Sequence, residues 1–157
     1  MASRPSSAQH ARQEIASYLR AQSAPLHAAA EAQKKWAPLV QQLFDQVKSN
    51  KKQVAAVNAR VLGRQYGAQF RKALEQAEAL QPPQAAARCQ EYFLRWLRSL
   101  VNACDAFSHA PEDGRDANYL RDATDYLDDA RYALKPLTEL RQRLYDAATG
   151  KSSKPAS

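Results

Sequence analysis

The sequence predicts an all-α fold, an antiparallel up-down bundle of four long helices. Apolar residues recur at helical spacing almost from end to end of the 157-residue chain. The chain has only four glycines, which is too few for a turn-rich β protein. Short connections between long amphipathic helices favour antiparallel neighbours, and an elongated arrangement with a separate N-terminal hairpin is the alternative.

The chain length fits one domain with a single core. We expect the bundle to occupy residues 8–149, between a disordered N-terminus at 1–7 and a disordered polar tail at 150–157. No apolar run approaches the roughly 18 to 20 residues that cross a bilayer, and the N-terminus lacks the apolar segment of a secretory signal. A cytoplasmic protein is therefore expected, and an arginine-bearing transit peptide is the alternative.

The first predicted helix spans about residues 8 to 49. Its seam alternates steps of three and four, as in helices that pack side by side. The seam residues are Ile15, Leu19, Gln22, Leu26, Ala29, Gln33, Trp36, Val40, Leu43 and Val47. Pro25 and Pro38 should kink or split this helix, because proline donates no amide hydrogen and clashes with the preceding turn.

Three further helices follow. The second spans about 51 to 80 and ends before Pro82 and Pro83, where continuation is disfavoured. The third, about 84 to 109, has the cleanest apolar seam: Cys89, Phe93, Trp96, Leu100, Cys104 and Phe107. The fourth, about 116 to 148, has a seam of Leu120, Ala123, Leu127, Ala130, Leu134, Leu137 and Leu144, and Gly150 marks its end.

A basic run extends from Lys48 to Lys72, where no Asp or Glu occurs. It carries seven positive charges, equal to the net charge of +7: Lys48, Lys51, Lys52, Arg60, Arg64, Arg71 and Lys72. Arg60, Arg64 and Arg71 fall on one side of a helix, so the run is a candidate anion or nucleic-acid contact. Without interleaved aromatic residues or a known motif, binding would be to the backbone and independent of base sequence.

Acidic residues concentrate in the fourth helix and form a candidate counter-surface to the basic run: Asp122, Asp125, Asp128 and Asp129. Three arrangements are open. The two sets can be neighbours within one chain, they can join two copies of the chain, or the basic run can contact phosphates.

Three valines on the second helix are candidate partner-facing residues: Val54, Val57 and Val61. The expected core residues lie on a side rotated by roughly 160°: Tyr66, Phe70, Ala73 and Ala77. One straight helix cannot bury both sides against one core. Either the helix breaks near Gly63 and Gly67, or the valines meet the N-terminal helix or a partner chain.

The sequence contains no pattern typical of an active site. The three histidines follow no metal-ligand spacing. Cys89 and Cys104 would lie roughly 22 Å apart on one helix, too far for a disulfide, and should act as small apolar residues. We therefore expect no catalytic residue, no metal and no cofactor, and we identify no small-molecule substrate; an enzyme with a concealed site is the remaining alternative.

These observations favour a non-catalytic assembly or adaptor subunit that acts through protein-protein contacts, including contacts between copies of itself. The alternative is an accessory subunit of a nucleoprotein complex that binds the nucleic-acid backbone through the basic run. The two functions differ in which side of the second helix meets the partner.

Overall fold

The computed structural model describes residues 7–113 and 115–151, and its regular structure there is helical throughout. The four helices are α1 (Ser7–Lys48), α2 (Lys52–Glu78), α3 (Ala87–Ser108) and α4 (Asn118–Thr149). A short 3-10 helix, Gln84–Ala86, leads into α3. Because no β-strand occurs among the described residues, the predicted all-α class is confirmed.

The helices pack as a four-membered bundle. Helix α1 packs on α2 and α4, and α3 packs on the same two helices. Aromatic rings join three of the helices in the core: Trp36 of α1 meets Phe70 of α2 and Phe107 of α3 edge to face, with ring centroids 5.4 and 6.1 Å apart. All six predicted seam residues of α3 are buried, and this helix is the most enclosed part of the core.

Helix α1 is one helix from Ser7 to Lys48, with Pro25 and Pro38 inside it. The split that the prolines allowed therefore does not occur. The helix buries the same face before, between and after the prolines, at Gln22, Ala29 and Val40. Packing along the whole face compensates for the backbone hydrogen bonds that proline cannot donate.

Helix α2 is also continuous, and the break considered near Gly63 and Gly67 is absent. Its N-terminal half buries small residues: Ala55, Ala56, Ala59, Gly63 and Gly67. At Gly63 the backbones nearly touch, because a Cβ atom there would meet the Cys104 carbonyl oxygen and lie 2.6 Å from the Ser108 nitrogen. One continuous helix thus buries a single face, on which small residues predominate as far as Gly63 and the rings of Tyr66 and Phe70 follow.

The prediction that Leu134 lies on the buried seam of α4 is wrong. Leu134 is 39% exposed, and its neighbour Ala133 is fully buried instead. The face of α4 that packs on the core has Ala133 where periodicity predicts Leu134, because the space there accommodates a small side chain. Helical spacing alone does not distinguish these two neighbouring positions.

The two ends of the bundle lie at Ser7 and Thr149. Ser7 already belongs to α1, and Gly150 ends α4 in the left-handed conformation, with φ of 77°. The other residues of the two segments expected to be disordered, 1–6 and 152–157, lie outside the described residues. None of the helices in the described chain has the length and apolar character that a membrane span requires.

Substituting Gly63 should test the close approach of α2 and α3. We expect Gly63→Ala to lower the free energy of unfolding by about 1–3 kcal/mol, because the obstacle is α3 backbone that cannot rotate away. Gly67→Ala is the matched control, since its Cβ would lie 3.3 Å from the Cys104 side chain and alanine favours helix by about 1 kcal/mol. The measurement is urea unfolding of both variants. A Gly63→Ala protein as stable as the Gly67→Ala protein would contradict the close packing of α2 on α3.

Candidate functional site

The three valines of α2 are uncovered in the chain. Val54, Val57 and Val61 are 49%, 48% and 59% exposed. Helix α1 does not cover them, so of the explanations left open by the sequence, burial against the N-terminal helix does not occur. We call these three residues the valine face.

A shallow groove continues the valine face toward α1. It has a volume of about 300 Å³, and Leu39 of α1, itself 37% exposed, lines it opposite Val61. Gln46 and Asn58 form its polar edge, where the Asn58 amide donates a hydrogen bond of 3.2 Å to Gln46 Oε1. The exposed apolar surface therefore spans two helices.

Two arginines of the basic run contact other parts of the same chain. Arg60 Nη1 donates a hydrogen bond of 3.1 Å to the Ala110 carbonyl, just beyond the C-terminus of α3. Arg71 pairs with Asp105 of α3 at 3.7 Å, and both side chains are more than half exposed. Positive charge near a helix C-terminus is favourable because the last carbonyls carry partial negative charge. These two arginines therefore help to join α2 to α3.

The other members of the basic run are exposed and make no ion pair within the described residues: Lys48, Lys51, Lys52, Arg64 and Lys72. Lys48 ends α1, and Lys51 and Lys52 lie at the start of α2. Lys51 and Arg64, each three residues from a valine of α2, therefore place positive charge beside the valine face without neutralisation by a carboxylate of the described chain.

The acidic residues of α4 do not pair with the basic run. Asp129 lies 3.9 Å from Arg95, and Asp128 lies 3.8 Å from Arg131, whereas no ion pair of the described residues includes Asp122 or Asp125. Helices α2 and α4 do not pack as neighbours. The basic run and the acidic counter-surface therefore do not form an intramolecular pair of surfaces in the described chain.

Exposed apolar residues accompany the acidic ones on α4. Tyr126, Tyr132 and Leu134 are all exposed, and the Arg95 guanidinium carbon lies 5.3 Å from the centre of the Tyr132 ring. We call the exposed side of α4 that carries Asp122, Asp125, Asp128, Asp129, Tyr126 and Tyr132 the acidic face; Leu134 lies on another side of the helix, about 180° from Asp125.

A buried polar network was missed in the sequence. Gln22, fully buried, accepts a hydrogen bond of 3.0 Å from Arg141 Nε and donates one of 3.2 Å to the Tyr18 hydroxyl. Tyr18 in turn donates at 2.6 Å to Gln90, whose amide donates to the Ala77 carbonyl at 2.8 Å. The signal for this network was the glutamine at position 22, a polar residue within an apolar ladder.

Both cysteines are free, buried thiols. Burial raises the pKa of Cys104 to about 12, and burial also raises the pKa of Cys89. The Gln22 amide approaches Cys89 Sγ at 3.6 Å. A protonated, enclosed thiol is a weak nucleophile, as expected for a small apolar residue. No cluster of His, Cys, Asp or Glu in the described part of the chain is arranged to hold a metal ion.

The raised thiol pKa predicts alkaline sensitivity. The folded state favours the protonated Cys104, so its contribution to stability is present below the ordinary thiol pKa of 9.0 and is lost as the pH rises towards 12. Burial raises the pKa values of Tyr18 and Tyr119 as well, and these act in the same direction. Urea unfolding across this pH range should show falling stability, with a smaller slope for Cys104→Ala; equal slopes would contradict the burial of the ionisable thiol.

The chain matches no protein-family model, no curated protein and no solved structure. What it binds is therefore inferred from its own contacts, burial and charges. Two features of the described residues bear on binding: the valine face with its adjoining positive charge, and the acidic face on α4, a helix that is not a packed neighbour of α2.

Proposed function

We propose that this chain is a non-catalytic helical-bundle subunit that acts through protein-protein contacts, and that its partner at the valine face is a second copy of the chain. The observation that carries the proposal is the exposure of Val54, Val57 and Val61 together on one helix. Contiguous exposed apolar side chains bordered by polar residues are typical of interaction sites. The groove beside Leu39 enlarges the apolar area available to a partner.

Charge favours a second copy as the occupant. Lys51 precedes Val54 by three residues and Arg64 follows Val61 by three, so these two cations border the valine face, and neither has a carboxylate partner within the described chain. The acidic face presents carboxylates together with exposed Tyr126 and Tyr132. The valine face thus adjoins positive charge, and the acidic face carries negative charge. Opposite charges fix the relative position of two such surfaces when they meet. Because the two faces differ, the contact is head to tail and builds a ring or an open chain of copies.

The antiparallel up-down course of the helices belongs to this proposal. Its support is the pairing of helix ends: Gln46 near the end of α1 contacts Asn58 near the start of α2, and Arg60 contacts Ala110 beyond the end of α3. Gln22, early in α1, contacts Arg141, late in α4. In such a bundle α2 and α4 occupy opposite corners, which suits head-to-tail contact. We also propose that α1 bends at Pro25 and at Pro38.

A second candidate function is binding of a nucleic-acid backbone. The observation that favours it is the set of five exposed cations without carboxylate partners in the described chain: Lys48, Lys51, Lys52, Arg64 and Lys72. Arg60 and Arg71, which the sequence placed in the same stripe, are engaged with α3. The basic surface available to phosphates is thus smaller than the sequence suggested, so we rank this function second.

Polar substitution of the valine face should abolish self-association. We expect the unmodified protein to show a mass above the 17.5 kDa monomer by light scattering, rising with concentration, and Val54→Ser/Val57→Ser/Val61→Ser to show the monomer mass. Gln69→Ser/Gln76→Ser, which changes exposed positions of α2 outside the valine face, is the matched control. An unmodified protein that stays monomeric, or a triple variant that still associates, would refute the valine contact.

Charge reversal identifies the opposite surface in the same experiment. Lys51→Glu/Lys52→Glu/Arg64→Glu and Asp122→Lys/Asp125→Lys should each associate less than the unmodified protein. Mixing the two variants should restore association, because the reversed α2 of one then meets the reversed α4 of the other. If mixing restores nothing, the acidic face is not the counterpart of the valine face.

The second candidate function predicts salt-sensitive retention of an oligonucleotide. An immobilised oligonucleotide should retain the protein at low salt, and Lys51→Glu/Lys52→Glu/Arg64→Glu should abolish the retention because phosphate contacts dominate such binding. The valine variant is the control and should be retained normally. Absence of retention by the unmodified protein at low salt would exclude this function.

A further inference from the structure

A cleft of about 430 Å³ lies between α1 and α4 and is separate from the valine face. These two helices pack less closely than the other neighbouring pairs of the bundle. Ala30 lines the cleft from α1, where its short side chain leaves space between the helices. The volume is within the range of about 300 to 1,000 Å³ that small-molecule sites occupy.

The walls of the cleft are mainly apolar. Leu19 and Leu26 of α1 and Leu134 and Leu137 of α4 line it. Leu19, Leu26 and Leu134 keep part of their surface uncovered, although all three are predicted on a core seam. Trp96 of α3 also lines the cleft, and its indole N–H has no acceptor within the described residues. An apolar molecule in the cleft would therefore remove leucine surface from water.

Arg141 is the one charged residue among those that line the cleft. Its Nε–H is committed to the fully buried Gln22, which is itself held through Tyr18 and Gln90. No Asp or Glu of the described chain pairs with its guanidinium group. The network thus orients Arg141 from one side and leaves the Nη groups without a partner among the described residues, as a carboxylate-binding arginine requires.

We propose that this cleft binds a small amphipathic carboxylate, such as a fatty acid of medium chain length. The hydrocarbon part lies against Leu19, Leu26 and Leu137, and the carboxylate pairs with Arg141. Other classes of apolar molecule fit this site less well. A neutral one leaves the arginine unpaired in a partly buried position, and a cationic one is repelled by it. The proposal is independent of self-association, since neither the valine face nor the acidic face contributes a residue to the cleft.

Isothermal titration calorimetry with octanoate and octanol tests the proposal on the unmodified full chain. Both probes share the hydrocarbon part and differ in the charge of the head group. We expect saturable binding of octanoate and about ten- to hundredfold weaker binding of octanol, because a hydrogen-bonded charged pair contributes that much. Octanoate that does not bind, or octanol that binds equally well, would overturn the proposal.

Two variants locate the site. Arg141→Met should reduce octanoate affinity to that of octanol while leaving octanol binding unchanged, and Arg143→Met, an exposed position of α4 outside the cleft, is its matched control. Ala30→Phe should fill the cleft and remove binding of both probes without disturbing the Gln22 network. If Arg141→Met does not fold, Ala30→Phe and the comparison of probes still decide. Octanoate binding that survives Ala30→Phe would place the site elsewhere and overturn the proposal.

Discussion

The close approach of α2 to α3 is the contact on which the rest of the structure depends. At Gly63 a side chain of any size would meet the backbone of α3. Helix α2 must therefore turn its smallest residues to the core along its N-terminal half, and the valines that alternate with them are left on the outside. The exposed valine face is a direct consequence of how tightly the core packs.

The same tight packing is not repeated between α1 and α4, where polar contacts replace it. Gln22, Tyr18, Gln90 and Arg141 connect three helices through side-chain hydrogen bonds. A buried amide is tolerated only when its hydrogen bonds are made, and here both ends of the Gln22 amide have partners. Because Arg141 of α4 reaches Gln22 of α1, the length of the arginine side chain sets the separation of these two helices. The cleft is the space that remains between them.

Charge in this chain is separated by the order of the helices around the bundle. The basic run lies at the end of α1 and along α2, the acidic residues lie on α4, and these two helices are not packed as neighbours. Part of the positive charge is used locally, since Arg60 and Arg71 both contact α3 or the residues after it. The remainder is available to another molecule, which links the architecture to the proposed contact between copies.

Helical periodicity alone was sufficient to predict the four helices, their approximate ends and the buried seam of α3, because burial of one helical face repeats at a fixed spacing. It also singled out the three valines, since their offset from Tyr66 and Phe70 follows from residue numbers alone. Periodicity could not tell whether the prolines split α1, because packing of the same face on both sides of each proline decides that. It could not choose between Ala133 and Leu134, because that depends on the shape of the space facing α4.

The sequence by itself thus determined the all-α class, the helical segments and the presence of a basic run without acidic residues. Only the tertiary structure decided which residues those charges meet, that the valines stay uncovered, and that Arg141 reaches Gln22 across the α1–α4 cleft. The physical reason is that a helix repeats its side chains by local geometry, whereas the choice of neighbouring helix and their separation depend on side-chain volumes far apart in the chain.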